Sequence, residues 1–119
     1  MNLSSIIPAL RAAEYPWSRA SYTDILGFDV IEGGGDPVQF GVFRQGRAEL
    51  FVDGWTGADT PPAPGWRACF HSPDVDALAA EFLAKGCTIK GPKTQPHGMR
   101  EVEMADPDGN IRCFGQDMP

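Results

Sequence analysis

Near the C-terminus, Asp106-Pro107-Asp108-Gly109-Asn110 sets two carboxylates and a side-chain amide within one short stretch. Those are the oxygen donors a hard cation takes. An EF-hand loop started at Asp106 would need glycine at its sixth position and a bidentate glutamate at its twelfth. Ile111 and Asp117 stand there, and alternating strand-like segments flank the stretch instead of helices. A tight turn fits better. Pro107 suits the second position of a type I turn, and Gly109 can adopt the positive φ that starts the next strand.

The other residues with chemical potential are scattered. No Gly-x-Ser-x-Gly elbow occurs, and no Ser or Cys has a motif that places a histidine beside it. Gly33-Gly34-Gly35 lacks the lysine of a phosphate loop and opens no helix. His71 ends an apolar segment just before a helix start and reads as a structural or exposed polar residue. His97 lies in the loop Gln95-Pro96-His97-Gly98, where it is either a plain loop residue or a ring able to stack on a ligand. Met99, Arg100 and Glu101 follow it. Phe40, Phe51, Trp55 and Trp66 are core side chains or the walls of a site for a planar molecule, because flat rings bury much area at low entropic cost. Trp55 has no core periodicity around it. Glu49 is a salt-bridged strand residue or a carboxylate that meets a cationic ligand.

Composition narrows the classes. A chain of 119 residues with 42% apolar content supports one domain, or two half-modules sharing a core. No apolar run approaches the roughly 18 residues of a membrane span, and no secretory or lipidation signal is expected. Cys69, Cys87 and Cys113 are odd in number and form no Cys-x-x-Cys pair, a pattern of reduced thiols in a cytoplasmic protein. The formal charge of -6 repels nucleic acid and anionic membrane. It suits a neutral or cationic small partner, and it is equally an ordinary solubility device.

The elements that must position these residues repeat. Three Gly/Pro-rich stretches, 32–37, 54–65 and 90–98, read as loops. In the first half, Ser4–Leu10 predicts a strand. Pro16 to Gly27 predicts a helix, with proline in the first turn and glycine as the left-handed stop. Phe28–Glu32 predicts a strand, and Val38–Gly54 a hairpin turning at Gln45-Gly46. In the second half, Trp66–His71 predicts a strand. Ser72 is expected to cap a helix that Pro73 opens, with Val75, Leu78, Ala79, Phe82 and Leu83 as its core stripe and Gly86 as its end. Cys87–Gly91 predicts a strand, and Met99–Gly115 a second hairpin. The fold class is therefore α+β: two βαβββ modules, about 1–54 and 66–119 with a linker at about 55–65, within a single domain spanning 1–119. Each module has one open sheet, and the two are expected to pair mixed sheets around a cleft.

These signals resemble the vicinal oxygen chelate superfamily, which includes glyoxalase I, extradiol dioxygenases and bleomycin resistance proteins. The resemblance covers nearly the whole chain. It rests on Ser21–Val30 (SYTDILGFDV), Arg47–Val52 (RAELFV) and above all Gln95–Gln116 (QPHGMREVEMADPDGNIRCFGQ), which is similar to the bleomycin resistance branch. It implies paired βαβββ modules and a homodimer, often with exchanged strands. It also implies, in the enzymes, a divalent metal. The glyoxalase-like ligand positions fall at about Ile7, on Glu49, near Trp66 or Arg67, and on Cys113, so most of the shell is missing and no cofactor is expected. His97 stands where the drug-binding branch commonly has a tryptophan. The expected role is binding rather than catalysis: metal-independent sequestration of a small, cationic aromatic, antibiotic-like compound, a bleomycin-class drug being one candidate. Phe40, Glu49, Phe51, Trp55, Trp66, His97, Met99 and Arg100 are the expected ligand contacts. Neither nucleic acid nor membrane is an expected partner. The alternative is a metal-dependent lyase, isomerase or dioxygenase with a degenerate site.

Overall fold

The computed structural model of the chain describes residues 1–33, 35–54 and 65–118. Trp55 and most of the expected linker lie outside the described residues. The chain divides into two compact units, Met1–Pro61 and Pro62–Pro119.

In the first unit, strand β1 (Ala9–Arg11) leads into helix α1 (Tyr15–Ala20), and β2 (Asp29–Glu32), β3 (Phe40–Gln45) and β4 (Ala48–Asp53) follow. The sheet order is β1-β4-β3-β2, with β1 parallel to β4 and the remaining pairs antiparallel. Pro16 sits in the first turn of α1, where its missing N–H costs nothing. The helix then widens to a π-helical turn over Ser21–Ile25 and stops at Gly27, whose φ of 74° is open to glycine. That widening brings Tyr22 fully inside. Its ring meets Phe28 edge-on at 6.2 Å and Phe43 at 5.6 Å, above buried Leu50 and Val52. Of the expected first strand, Ser4–Leu10, only Ala9 and Leu10 pair, and the strand runs on to Arg11; Pro8 offers β4 a carbonyl, to Phe51 N–H, but has no N–H of its own. Leu3 and Ile6 remain exposed.

The second unit repeats the order with β5 (Trp66–His71), helix α2 (Val75–Ala84), β6 (Lys90–Thr94), β7 (Met99–Ala105) and β8 (Ile111–Asp117). Its sheet runs β5-β8-β7-β6, again with one parallel pair, β5 and β8. The chain is thus α+β, with two four-stranded mixed sheets. Val75, Ala79 and Phe82 of α2 are buried, and Phe114 packs between Phe82 (5.1 Å, edge-on) and Phe70 (5.3 Å, stacked). Burying each such aromatic contributes roughly 1.5–3 kcal/mol.

Three expectations are corrected. Asp74, not Ser72, caps α2: its carboxylate accepts from the Ala77 N–H at 3.0 Å, while Ser72 accepts from Asp74 N–H one step earlier. Leu83 lies outside the buried stripe at 59% exposure, because the stripe closes on Phe82. The second strand of this unit is Lys90–Thr94 rather than Cys87–Gly91. Gly91 and Pro92 read as breakers in the sequence. On an edge strand a proline loses no ladder bond, and the register shift between Lys90 and Lys93 absorbs Gly91 at a φ of 100°.

The Asp106–Asn110 segment is a closed turn. Gly109 N–H donates to the Asp106 carbonyl at 3.0 Å. The Asp106 carboxylate accepts from the N–H groups of Asp108 and Asn110, both at 2.9 Å, and from the Asn110 side-chain amide at 2.8 Å. Its oxygens are spent inside the turn.

Candidate functional site

The pleat of the second sheet separates two faces. Val102, Met104 and Phe114 turn toward α2, and Glu101 and Glu103 of β7, with Cys113 and Gly115 of β8, turn to the other side. Directly across from the two glutamates, the edge strand presents Lys93 opposite Glu101 and Lys90 opposite Glu103. The β6–β7 connection is a tight turn in which Gly98 N–H donates to the Gln95 carbonyl at 3.0 Å, with Pro96 and His97 at its two corners. His97 reaches back over the sheet, its Nε2 3.4 Å from Glu101 Oε2. At the other end Trp66 opens β5, and its indole N–H donates to Glu103 Oε1 at 2.6 Å.

These groups line a groove of about 510 Å³ within the second unit. That is large enough for a drug-sized molecule. Glu101 forms its floor, only 6% exposed, and Trp66 stands as a half-open wall at 44%. Lys90 is a rim group, with its ammonium 3.8 Å from Glu103. A buried carboxylate, Glu101, and a partly exposed one, Glu103, set among a ring and a turn histidine favour a ligand that brings hydrogen-bond donors or positive charge alongside a flat apolar surface.

Of the expected contacts, the structure brings Trp66 and His97 to this groove. Met99 shares the face but lies across Gly115, whose lack of a side chain makes room for it. Arg100 turns the opposite way. It grips Asp76 at the start of α2 through Nε and Nη2 at 2.9 to 3.1 Å and donates to Thr94 Oγ1 at 3.1 Å. Its place on the helix side follows from the pleat: Arg100 pairs with Gln116, whose side chain accepts from Val75 N–H. Phe40 and Phe51 lie together on one face of the first sheet, ring centres 5.4 Å apart. Glu49 lies on that face too, paired with Arg44 at 3.3 Å. Glu103, Lys90, Lys93 and Gln95 were not among the expected contacts. The period-two run Met99, Glu101, Glu103 against Val102 and Met104 was the signal for the first of them.

A divalent metal is poorly served. Ile7 and Trp66 carry no metal-binding group, Glu49 is held by Arg44, and Cys113 is wholly buried. Burial first, then contact with Cys69 and the negative Glu101 and Glu103, pushes the Cys113 thiol far above the usual range, so it stays protonated. Among the described residues no three His, Cys, Asp or Glu side chains converge in a way that could hold a metal ion.

The profile of the glyoxalase/bleomycin resistance protein/dioxygenase superfamily matches residues 8–114. The chain belongs to that superfamily. Solved structures with the same fold include TnmS3, an antibiotic binding protein from Streptomyces sp. CB03234, 24% identical over 98% of both chains with a TM-score of 0.84. Another is a lactoylglutathione lyase from Agrobacterium tumefaciens, 25% identical over 98% of this chain and 96% of the other, with a TM-score of 0.77. A third is the bleomycin resistance determinant encoded on transposon Tn5, 18% identical over 97% and 98% of the two chains, also with a TM-score of 0.77. No curated protein matches the chain. As a member of the superfamily, the chain shows the βαβββ order in each of its two units. No helix among the described residues is long and apolar enough to cross a membrane.

Proposed function

We propose that this protein binds and sequesters a small, flat, donor-bearing or cationic molecule of the antibiotic type, without a metal and without making or breaking a bond. The observation that carries this reading is the groove of the second unit, where the Trp66 ring and two carboxylates, Glu101 and Glu103, line one wall and floor. A planar ring stacks on the indole, and an ammonium, guanidinium or amide N–H of the ligand meets the Glu101 floor. His97 offers a second, smaller ring at the far side. The antibiotic-binding relative and the bleomycin resistance determinant support this class of ligand. Homodimerisation and a cytoplasmic setting belong to the same proposal.

A second reading rests on the lactoylglutathione lyase likeness: a metal-dependent lyase, isomerase or dioxygenase. The donor set at Ile7, Glu49, Trp66 and Cys113 weighs against it, because a stable divalent site takes three or four converging ligands.

A thermal-shift screen of planar cationic and neutral antibiotics, bleomycin among them, with EDTA throughout, tests the proposal. A ligand present at a hundredfold its Kd stabilises the native state by about 2.7 kcal/mol, so true binders raise the melting temperature by several degrees. A panel without a single shift in EDTA, together with a shift on adding a divalent ion alone, would favour the metal-dependent reading instead.

A further inference from the structure

The register of the second sheet sets Cys69 of β5 directly opposite Cys113 of β8. Neighbouring strands run about 4.8 Å apart, inside the roughly 4.4–6.8 Å between Cα atoms that a disulfide spans. Residues paired in a parallel ladder send their side chains to the same face. The two thiols are close enough in the pair for Cys69 to help hold Cys113 protonated. One of them, Cys69, is exposed, and the other is fully buried beneath the sheet face. Cys87 lies between α2 and β6, outside both strands.

We propose that Cys69 and Cys113 form a two-electron redox site, closed to a disulfide by hydrogen peroxide and reopened by low-molecular-weight thiols. The division of labour follows from exposure. Cys69 meets the oxidant: its thiolate attacks the peroxide, an S–O bond forms as the O–O bond breaks, and the leaving hydroxide takes a proton to become water. Cys113 resolves the sulfenic acid. Its sulfur attacks Cys69 Sγ, the S–S bond forms as S–O breaks, and the Cys113 proton leaves with the departing hydroxide as a second water. Two thiols and one peroxide thus give one disulfide and two waters. Two reductant thiols reverse it, themselves becoming a disulfide. Burial denies Cys113 the role of first nucleophile and keeps it in reserve on the paired strand opposite Cys69.

The test treats the folded full chain with hydrogen peroxide, removes the peroxide, unfolds the chain in denaturant, alkylates the free thiols, and maps non-reduced peptides by mass spectrometry. One alkylated thiol, at Cys87, and a Cys69–Cys113 peptide that dithiothreitol separates are the expected result. C69A, an exposed position that leaves the core untouched, should keep both remaining thiols alkylatable after the same treatment. Three alkylated thiols in the peroxide-treated and then unfolded wild-type chain, Cys69 carried to a sulfinic or sulfonic acid without a crosslink, or a bridge through Cys87 would each overturn the proposal.

Discussion

The Trp66 indole N–H donates to Glu103 Oε1 across 2.6 Å, fixing the ring of the first residue of β5 over the middle of β7. The bond orients the ring, and the carboxylate supplies charge, so two substitutions separate the roles. W66A removes the stacking surface and should weaken any groove ligand by tenfold or more, about 1.4 kcal/mol. E103Q keeps an oxygen to accept the indole N–H. It should weaken a cationic ligand several-fold and leave a neutral analogue nearly unchanged. Titration calorimetry with a matched cationic and neutral pair reads both.

Gly41 and Gly115 invite the same change with different consequences. A methyl at Gly41 would collide with the Tyr15 hydroxyl and lie 2.8 Å from Phe43 Cε1, both fixed in the core. Tyr15 is further held by its 2.9 Å bond to Glu32, which also takes Arg19 at 2.7 Å. G41A should therefore cost about 1–3 kcal/mol in chemical denaturation. At Gly115 the obstacle is the flexible end of Met99, at 2.6 Å. G115A should cost less than half as much, because Met99 can swing aside.

Acid stability should depend on Asp76 and Arg100. The Arg100 guanidinium, by direct hydrogen bonds, holds the Asp76 carboxyl below its usual range. A carboxylate whose pKa is depressed on folding adds stability above its unfolded value and loses it as pH falls through the folded value. The contribution is present above about pH 4 and fades below it. R100Q should lower the melting temperature modestly at pH 5 and above and leave it little changed at pH 3, so the variant falls less steeply than the wild type between pH 5 and pH 3. A wild-type and variant pair with parallel acid profiles would contradict this.

The Asp106 turn should be structural. D106N turns one carboxylate oxygen into an amide facing the Asn110 amide, and should destabilise by roughly 1–3 kcal/mol. Calcium should not move the melting temperature of the wild type, since both oxygens already accept from the turn.

Much of the fold was legible because periodicity and punctuation agree. Gly27, Gly46, Gly86 and Gly109 all take positive φ where the sequence placed stops and hairpin tips. Residues whose local and tertiary preferences conflict were not legible. Gly91-Pro92 looks like a loop, and only the edge position of β6 makes it a strand. Leu83 fits a helical stripe, yet it stands 59% exposed beside buried Val75, Ala79 and Phe82. In the groove, Trp66 and His97 stood out by type. Glu103 and Lys90 did not, because charged residues on a strand ordinarily face water, and it takes the cross-strand pairing to set them around a common space. Arg100 was drawn toward the site by its neighbours in sequence, and the pleat sends it to the opposite face.

Calorimetric titration of the EDTA-treated chain with the strongest binder from the antibiotic panel tests the groove most directly, run beside W66A and E101Q. Metal-free binding at one ligand per chain, weakened at least tenfold in W66A and for a cationic ligand also in E101Q, is the predicted result. Binding that appears only when a divalent metal is restored, or that survives both substitutions undiminished, would contradict it.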